Sequence, residues 1–270
     1  MDFGNFNLGT LRGLVAASAL VALPTAAQAL MLEVTVENLA PQNSITFAPL
    51  RVGFHNGTYD AFNNGEAAGE AIISVAEGGS GDAWFPAFAA ADPSATLGSV
   101  LDGGPLLPGG SATVVFEIDP TLNRFFTFAA MVVPSNDLFI GNDNPMQYEL
   151  FDLSSNLSVS EITLFGRDIW DAGSEAADPA NGAFVVGGMN GLRTPENDVV
   201  NFSFDELDAF AGLTTAAGYV FDPLISGESE IYRISFAEAS PVPEPGTMGL
   251  MLLGSAALLI KRRRSVSIAS

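Results

Sequence analysis

Strand-length apolar segments, each closed by a turn residue, recur along this chain and leave little room for long helices. In LEVTVEN, Leu32, Val34 and Val36 alternate with Glu33, Thr35 and Glu37, the two-residue period of a half-buried strand. ITFAPLRVGFHNG keeps β character and ends at the turn dipeptide Asn56-Gly57. GGSATVVFEIDP sets Val114, Phe116 and Ile118 against Thr113, Val115 and Glu117, and RFFTFAAMVVP follows a short polar turn. The two are expected to form a hairpin. LSVSEITLFG and SEIYRISFAEA are two more strands by the same test. The 28 Gly and 16 Pro supply the turns such a chain needs.

One helix is expected in the body. Gly65 to Gly79, GEAAGEAIISVAEGG, is rich in Ala and Glu. Ala68, Ile72, Val75 and Ala76 make one face, and Gly78 stops it. Trp84 and Phe85 in DAWFP are expected in the core rather than on an exposed patch for sugar stacking. DIWDAGSEAADPANG fits no regular element and reads as a long loop. The fold class is therefore all-β: an antiparallel β-sandwich with one short helix, flanked by an N-terminal signal peptide and a C-terminal transmembrane helix.

The two ends carry the addressing. Residues 1–29 hold Arg12, an apolar stretch from Leu14 to Leu23, Pro24, and then Ala27-Gln28-Ala29. That order describes a secretory signal peptide cut after Ala29, with Ala27 and Ala29 as the small residues of the cleavage site. A short buried helix is the alternative. Residues 241–270 begin with three prolines, Pro241, Pro243 and Pro245, which keep the chain extended. An uncharged stretch, Thr247 to Ile260, follows within an expected transmembrane helix of about 246–260, then Lys261, Arg262, Arg263 and Arg264 in a tail of 261–270. Fourteen helical residues rise only ~21 Å against a hydrocarbon core of ~30 Å. A tilt-free span of a thin membrane is just feasible, and the basic cluster keeps the tail cytoplasmic. The body, 30–240, then lies outside.

Val242-Pro243-Glu244-Pro245-Gly246, the short apolar helix and the Arg cluster together resemble the PEP-CTERM sorting signal of Gram-negative bacteria. The resemblance implies recognition by an exosortase after signal peptidase has acted. An inner-membrane-anchored precursor would be followed by release to the cell surface or extracellular matrix. A plain single-span anchor is the alternative.

Charge and composition narrow the chemistry. The chain has 10 basic and 31 acidic residues. Removing Arg12, the four basic tail residues, Asp2 and Glu244 leaves five against 29, a net charge near −24. Such a surface repels nucleic acid and anionic lipid and favours multivalent cations. Solubility or a saline medium would account for the same charge. There is no Cys and a single His, His55. Disulfides are absent and a His-rich zinc or iron site is ruled out, so any metal must be held by oxygen. A Ser-His-Asp triad could use only His55, which sits beside a turn, and no G-x-S-x-G elbow exists. The chain is not expected to be an enzyme.

Two short motifs fit a family. FFTFAAMVVPSNDLFIG (Phe125 to Gly141) resembles the segment of spondin N-terminal domains in which a strand enters a Pro-Ser-Pro-Asp-Trp turn. WDAGSE (Trp170 to Glu175) resembles that family's Trp-Asp-Ala-Gly-Thr-Asp loop, and the opening strand from Leu32 is similar to that of bacterial members. The resemblance covers nearly the whole body. It implies a β-sandwich in which carboxylates of the two loops hold Ca²⁺: Asp137, Asp171 and Glu175. Asn136 stands where the family has Pro, Leu138 where it has Trp, and Glu175 where it has Asp. On residue type alone, Asp137 would as readily close a turn through its own backbone. The implied function is adhesion or association with a surface glycan or matrix polymer. The rival reading is a secreted carbohydrate-active enzyme on a jelly-roll-like scaffold, which needs two opposed acids in a groove. The Asn142, Asp143, Asn144 cluster lacks EF-hand spacing and is expected to be a bystander.

Overall fold

The computed structural model describes residues 29–101 and 103–239. The proposed signal peptide, membrane helix and basic tail lie outside these residues. Among the described residues, no helix is long and apolar enough to cross a membrane.

Twelve strands form two sheets, and every pairing is antiparallel. In chain order they are β1 (Leu30–Asn38), β2 (Thr46–Phe47), β3 (Leu50–His55), β4 (Thr96–Val100), β5 (Ser111–Ile118), β6 (Phe125–Val133), β7 (Leu138–Gly141), β8 (Tyr148–Glu149), β9 (Glu161–Phe165), β10 (Trp170–Asp171), β11 (Asn201–Phe202) and β12 (Glu230–Glu238). The first sheet runs β5-β1-β12-β9, and the second runs β11-β10-β7-β6-β3-β4, with β2 and β8 also on β6. Leu32, Val34 and Val36 are fully buried, as their alternation requires. They meet Phe54, Phe126 and Phe128 of the second sheet in one core. Phe126 stands edge-on to Phe236 of β12, ring centroids 4.9 Å apart, and so links the two sheets.

The expected β5–β6 hairpin does not form. β5 pairs with β1 at the edge of the first sheet, while β6 sits in the middle of the second. Their burial explains the separation. β5 keeps an exposed face, whereas β6 is buried on both faces for almost its whole length. A strand apolar on both faces needs a cover on each side.

That second cover is helical. α1 (Glu70–Gly78) buries Ile72, Val75 and Ala76, and Ala68 just before it packs on the same cluster. The helix ends one residue later than expected, at Gly79, whose φ of 59° suits a left-handed cap. A second helix, α2 (Trp84–Ala91), corrects the expectation of a single one. Pro86 hid it from pattern reading. It falls in the first helical turn, where a missing N–H breaks no bond. Trp84 and Phe88, one turn apart, are both fully buried, and Phe85 is partly so, consistent with a core role. The helices lie against Ala129, Phe139 and Trp170 on the outer face of the second sheet.

Candidate functional site

The turn Pro134–Asp137 joins β6 to β7, and its polar residues are sealed. Ser135, Asn136 and Asp137 are each fully buried, so each needs partners inside the protein. Ser135 Oγ donates to the Val132 carbonyl and accepts from the Leu138 N–H. The side chains of Asn136 and Asp137 point to a second segment instead.

That segment is delivered by β10. Its two residues pair with β7 in the register Trp170–Phe139 and Asp171–Leu138. Asp171 is thereby set beside the residue that follows Asp137. Trp170 anchors the strand: its Nε1 donates to the Gly141 carbonyl at 3.0 Å, and its ring stacks on Phe202 of β11 at 3.6 Å. Asp171 Oδ1 then accepts the Gly173 N–H at 2.7 Å. Gly173 has φ of 62°, and a Cβ there would come within 2.8 Å of the Asp198 backbone. Only glycine fits this bend.

The bend folds the chain onto Asp137. Asp137 Oδ2 accepts three hydrogen bonds, from Ser174 N at 2.8 Å, Ser174 Oγ at 3.0 Å and Glu175 N at 2.9 Å. Its other oxygen, Oδ1, is buried with no partner. Glu175, only 2 % exposed, shows the same division. Oε1 accepts from Asn136 Nδ2 at 3.3 Å and Thr194 N at 3.4 Å, while Oε2 is buried and unpartnered. Asp137 and Glu175 are therefore joined across a turn and a loop distant in sequence, while Asp171, one register position from Asp137, turns its Oδ1 to Gly173.

Residues outside the expected trio complete the neighbourhood. Glu77 of α1 takes a bond from Ser174 Oγ at 2.9 Å and an ion pair from Arg193. A hydroxyl carries one proton, so Ser174 Oγ serves Glu77 and Asp137 in turn. Glu206, from the 3-10 helix Asp205–Phe210, is the larger omission. The residue is partly exposed, but its Oε1 is sealed and unpartnered. The only sequence signal for it is an acidic run that also carries Leu207 and Phe210 into the core.

The electrostatics follow from burial. Burial, and next the charge of Asp171, pushes the Asp137 carboxyl up to about 6. Burial pushes Glu206 up to about 9, helped by Asp137, Asp171 and Glu175, while the Asp137 backbone N–H works the other way. Asp171 and Glu77 are also raised, each chiefly by burial. Arg124, Arg167, Arg193 and Arg233 make their ion pairs with other acids. Unpaired buried carboxylates must take up a proton or a cation.

Among the described residues, no group of three or more His, Cys, Asp or Glu side chains is placed so as to hold a metal ion. Three carboxylate oxygens in this part of the chain are buried without a hydrogen-bond partner: Asp137 Oδ1, Glu175 Oε2 and Glu206 Oε1. An all-oxygen donor set with no nitrogen or sulfur suits a hard ion such as Ca²⁺.

The remaining candidates have structural roles. His55 ends β3 and is fully buried; its Nδ1 accepts from Gly57 N and its Nε2 donates to Thr127 Oγ1 at 3.0 Å. Asn142 fills a gap in the ladder, accepting from Phe128 N and donating to Thr127 Oγ1. A cleft of about 280 Å³ is lined by Ala172, Gly173, Ser174, Arg193 and Asp198, among others, and by none of Asp137, Asp171 and Glu175.

The profile of the PEP-CTERM protein-sorting motif matches residues 241–264. The match takes in Val242 to Gly246 and Lys261 to Arg264, and it bears out the reading of this tail as a PEP-CTERM sorting motif. The motif marks a secreted protein whose membrane-anchored precursor is processed by an exosortase on the way to the cell surface. No curated protein matches the chain.

Proposed function

We propose that the body is a non-enzymatic, calcium-stabilised β-sandwich of the spondin N-terminal type. Exported and sorted through its C-terminal motif, it serves adhesion or matrix and polymer association outside the cell. One observation carries the calcium reading. Asp137 and Glu175, from distant segments, each have one oxygen fixed by hydrogen bonds and one buried oxygen left without a partner. Asp171 lies in register beside them. When bound, the ion would supply positive charge and a cross-link between the two segments, the role a disulfide fills elsewhere in exported domains. Asp137 and Glu175 are buried and absent from the lining of the neighbouring cleft, which favours a structural ion over one presented to a ligand. It also gives no support to a pair of acids opposed across a groove.

The test is thermal unfolding of the full chain in detergent, in EGTA and in millimolar Ca²⁺. Binding to the folded state alone adds about 3 to 4 kcal/mol at a hundred to a thousand times Kd. For a domain of this size that is roughly 5 to 15 °C in Tm. Mg²⁺, which dehydrates reluctantly, is expected to restore little. An unchanged Tm at millimolar Ca²⁺ sinks the metal reading.

A further inference from the structure

β9 is the last strand of the first sheet, and β11 ends the second. Residues of both line one cleft of about 270 Å³, with Thr163 from β9, Trp170 from β10 and Phe202 from β11. Sites for drug-sized molecules start near ~300 Å³, so this one suits a single ring-sized unit of a longer chain. Among the described residues, Phe202 is the only exposed aromatic side chain, at 53 %. Its ring lies 3.6 Å from that of the buried Trp170 and 25° from parallel. Trp170 thus holds one side of the Phe202 ring, and the exposed part borders the cleft.

Polar side chains surround that ring. Asp143, Asn144, Gln147 and Asp168 belong to the lining. Three of them are anchored by one atom and keep another for a ligand. Asn144 Oδ1 accepts from Met146 N at 2.9 Å, which leaves its amide N–H groups to donate. Gln147 Nε2 donates to the Tyr148 hydroxyl at 3.0 Å, so Gln147 Oε1 can accept and the Tyr148 O–H can donate. Asp168 Oδ2 accepts from Phe165 N at 2.8 Å, which leaves Oδ1. None of the described lining residues is Lys, Arg or His. With a body charge near −24, an anionic ligand would be repelled. A pyranose matches what remains. Its C–H face can lie on an aromatic ring, and its hydroxyls both donate to carboxylates and accept from amides.

We propose that this cleft binds one residue of a neutral glycan chain, with Phe202 as the stacking platform and Asp143, Asn144 and Gln147 as hydroxyl partners. This rests on the polymer-association reading above and gives it a place and a ligand class. It also separates the members of the Asn142, Asp143, Asn144 cluster. Asn142 is spent on the strand ladder, whereas Asp143 and Asn144 face the cleft.

The experiment applies the full chain to an array of immobilised neutral, uronic-acid and amino-sugar oligosaccharides. A polyoxyethylene detergent is used, because sugar headgroups would compete. Calorimetric titration with the best-bound neutral oligosaccharide then gives Kd. Wild type is expected to bind neutral glycans and to leave the uronic-acid arm empty. F202L keeps an apolar cover over Trp170 but removes the ring, and should weaken binding about fivefold or more, while F202W should retain it. D143N, at a partly exposed position, should weaken binding about tenfold with Tm unchanged. Neutral-glycan binding that both F202L and D143N leave intact overturns the site, while the association reading stands. Binding confined to the amino-sugar arm overturns it too, since charge alone would then be the attraction. A wild type that binds no glycan on the array overturns the proposal. Adhesion of that same protein to a protein-coated surface would keep the wider reading, and no adhesion at all would end both.

Discussion

Replacing Asp137 with Asn should make the protein more stable when no cation is present. The side chain is fully buried, and burial with the Asp171 charge lifts its carboxyl from the ordinary 3.8 to about 6. That net shift already includes the three donors on Oδ2, which favour the charged form. At neutral pH the ionised side chain therefore costs the fold about 3 kcal/mol relative to a neutral one. Asn is a neutral near-isostere. Its amide oxygen can accept from Ser174 and Glu175, and its amide nitrogen can donate toward the unpartnered oxygens of Glu175 and Glu206. The sign in pH follows from the raised value. Between 3.8 and 6 the folded state holds a proton that the unfolded state has lost, so wild-type stability falls as pH rises through that window. D137N should thus match wild type near pH 4 and exceed it by about 3 kcal/mol, or roughly 6 to 12 °C in Tm, at pH 7.5 in EGTA. In saturating Ca²⁺ the order should reverse, because only wild type gains the ion. The assay is differential scanning fluorimetry of the full chain over both conditions. A D137N protein that melts below wild type in EGTA at pH 7.5 would refute the account of Asp137 as an uncompensated buried charge.

Two further predictions concern other parts of the chain. Burial depresses His55 from 6.5 to about 4 against a weaker pull from Asp92; the unfolded state binds the proton first, so about 3 kcal/mol of stability is lost as pH falls from 6.5 through 4. H55Q should be less stable overall but lack this component, which a difference curve of Tm against pH isolates from the opposing effect of Asp137. Replacing Pro243, Glu244 and Pro245 with Ala should leave export intact and trap the precursor in the membrane; fractionation with an antibody to the body reads this directly, and unchanged release would mean that the motif is not the sorting determinant.

What could be read without coordinates divides along a physical line. Periods of two residues survive in a sequence, so the buried face of β1 was legible from Leu32, Val34 and Val36. The apolar run of β6 was equally visible, but its place was not. Whether a run pairs with its chain neighbour or crosses to another sheet depends on covers supplied from far away, here α1 and α2. α2 was lost because Pro86 reads as a breaker unless the first turn is known. β10 has two residues and no period to detect, so DIWDAGSE looked like loop. The site divides the same way. Asp137, Asp171 and Glu175 could be named through their motifs. Glu206 could not, since its position is fixed by Leu207 and Phe210 packing into a core the sequence does not display.

The departures from the motif pattern have a shared physical account. A proline at position 136 would offer neither a side-chain amide nor a backbone N–H. Asn136 offers both polar ends of its side chain: Oδ1 accepts from Asp178 N at 2.9 Å, and Nδ2 donates to Glu175 Oε1. Those two bonds add to those of Asp137 in holding the second loop to the turn. An acid at 175 with a shorter stem would have less reach toward Asn136 and Thr194. Glu175 meets both with one oxygen, and its Oε2 is left without a partner. Asn136 and Glu175 are thus a matched pair. The turn is held by full burial of Ser135, Asn136 and Asp137 and by bonds that cross to the loop. The carboxylates of Asp137 and Glu175 are thus held in place by the chain's own hydrogen bonds.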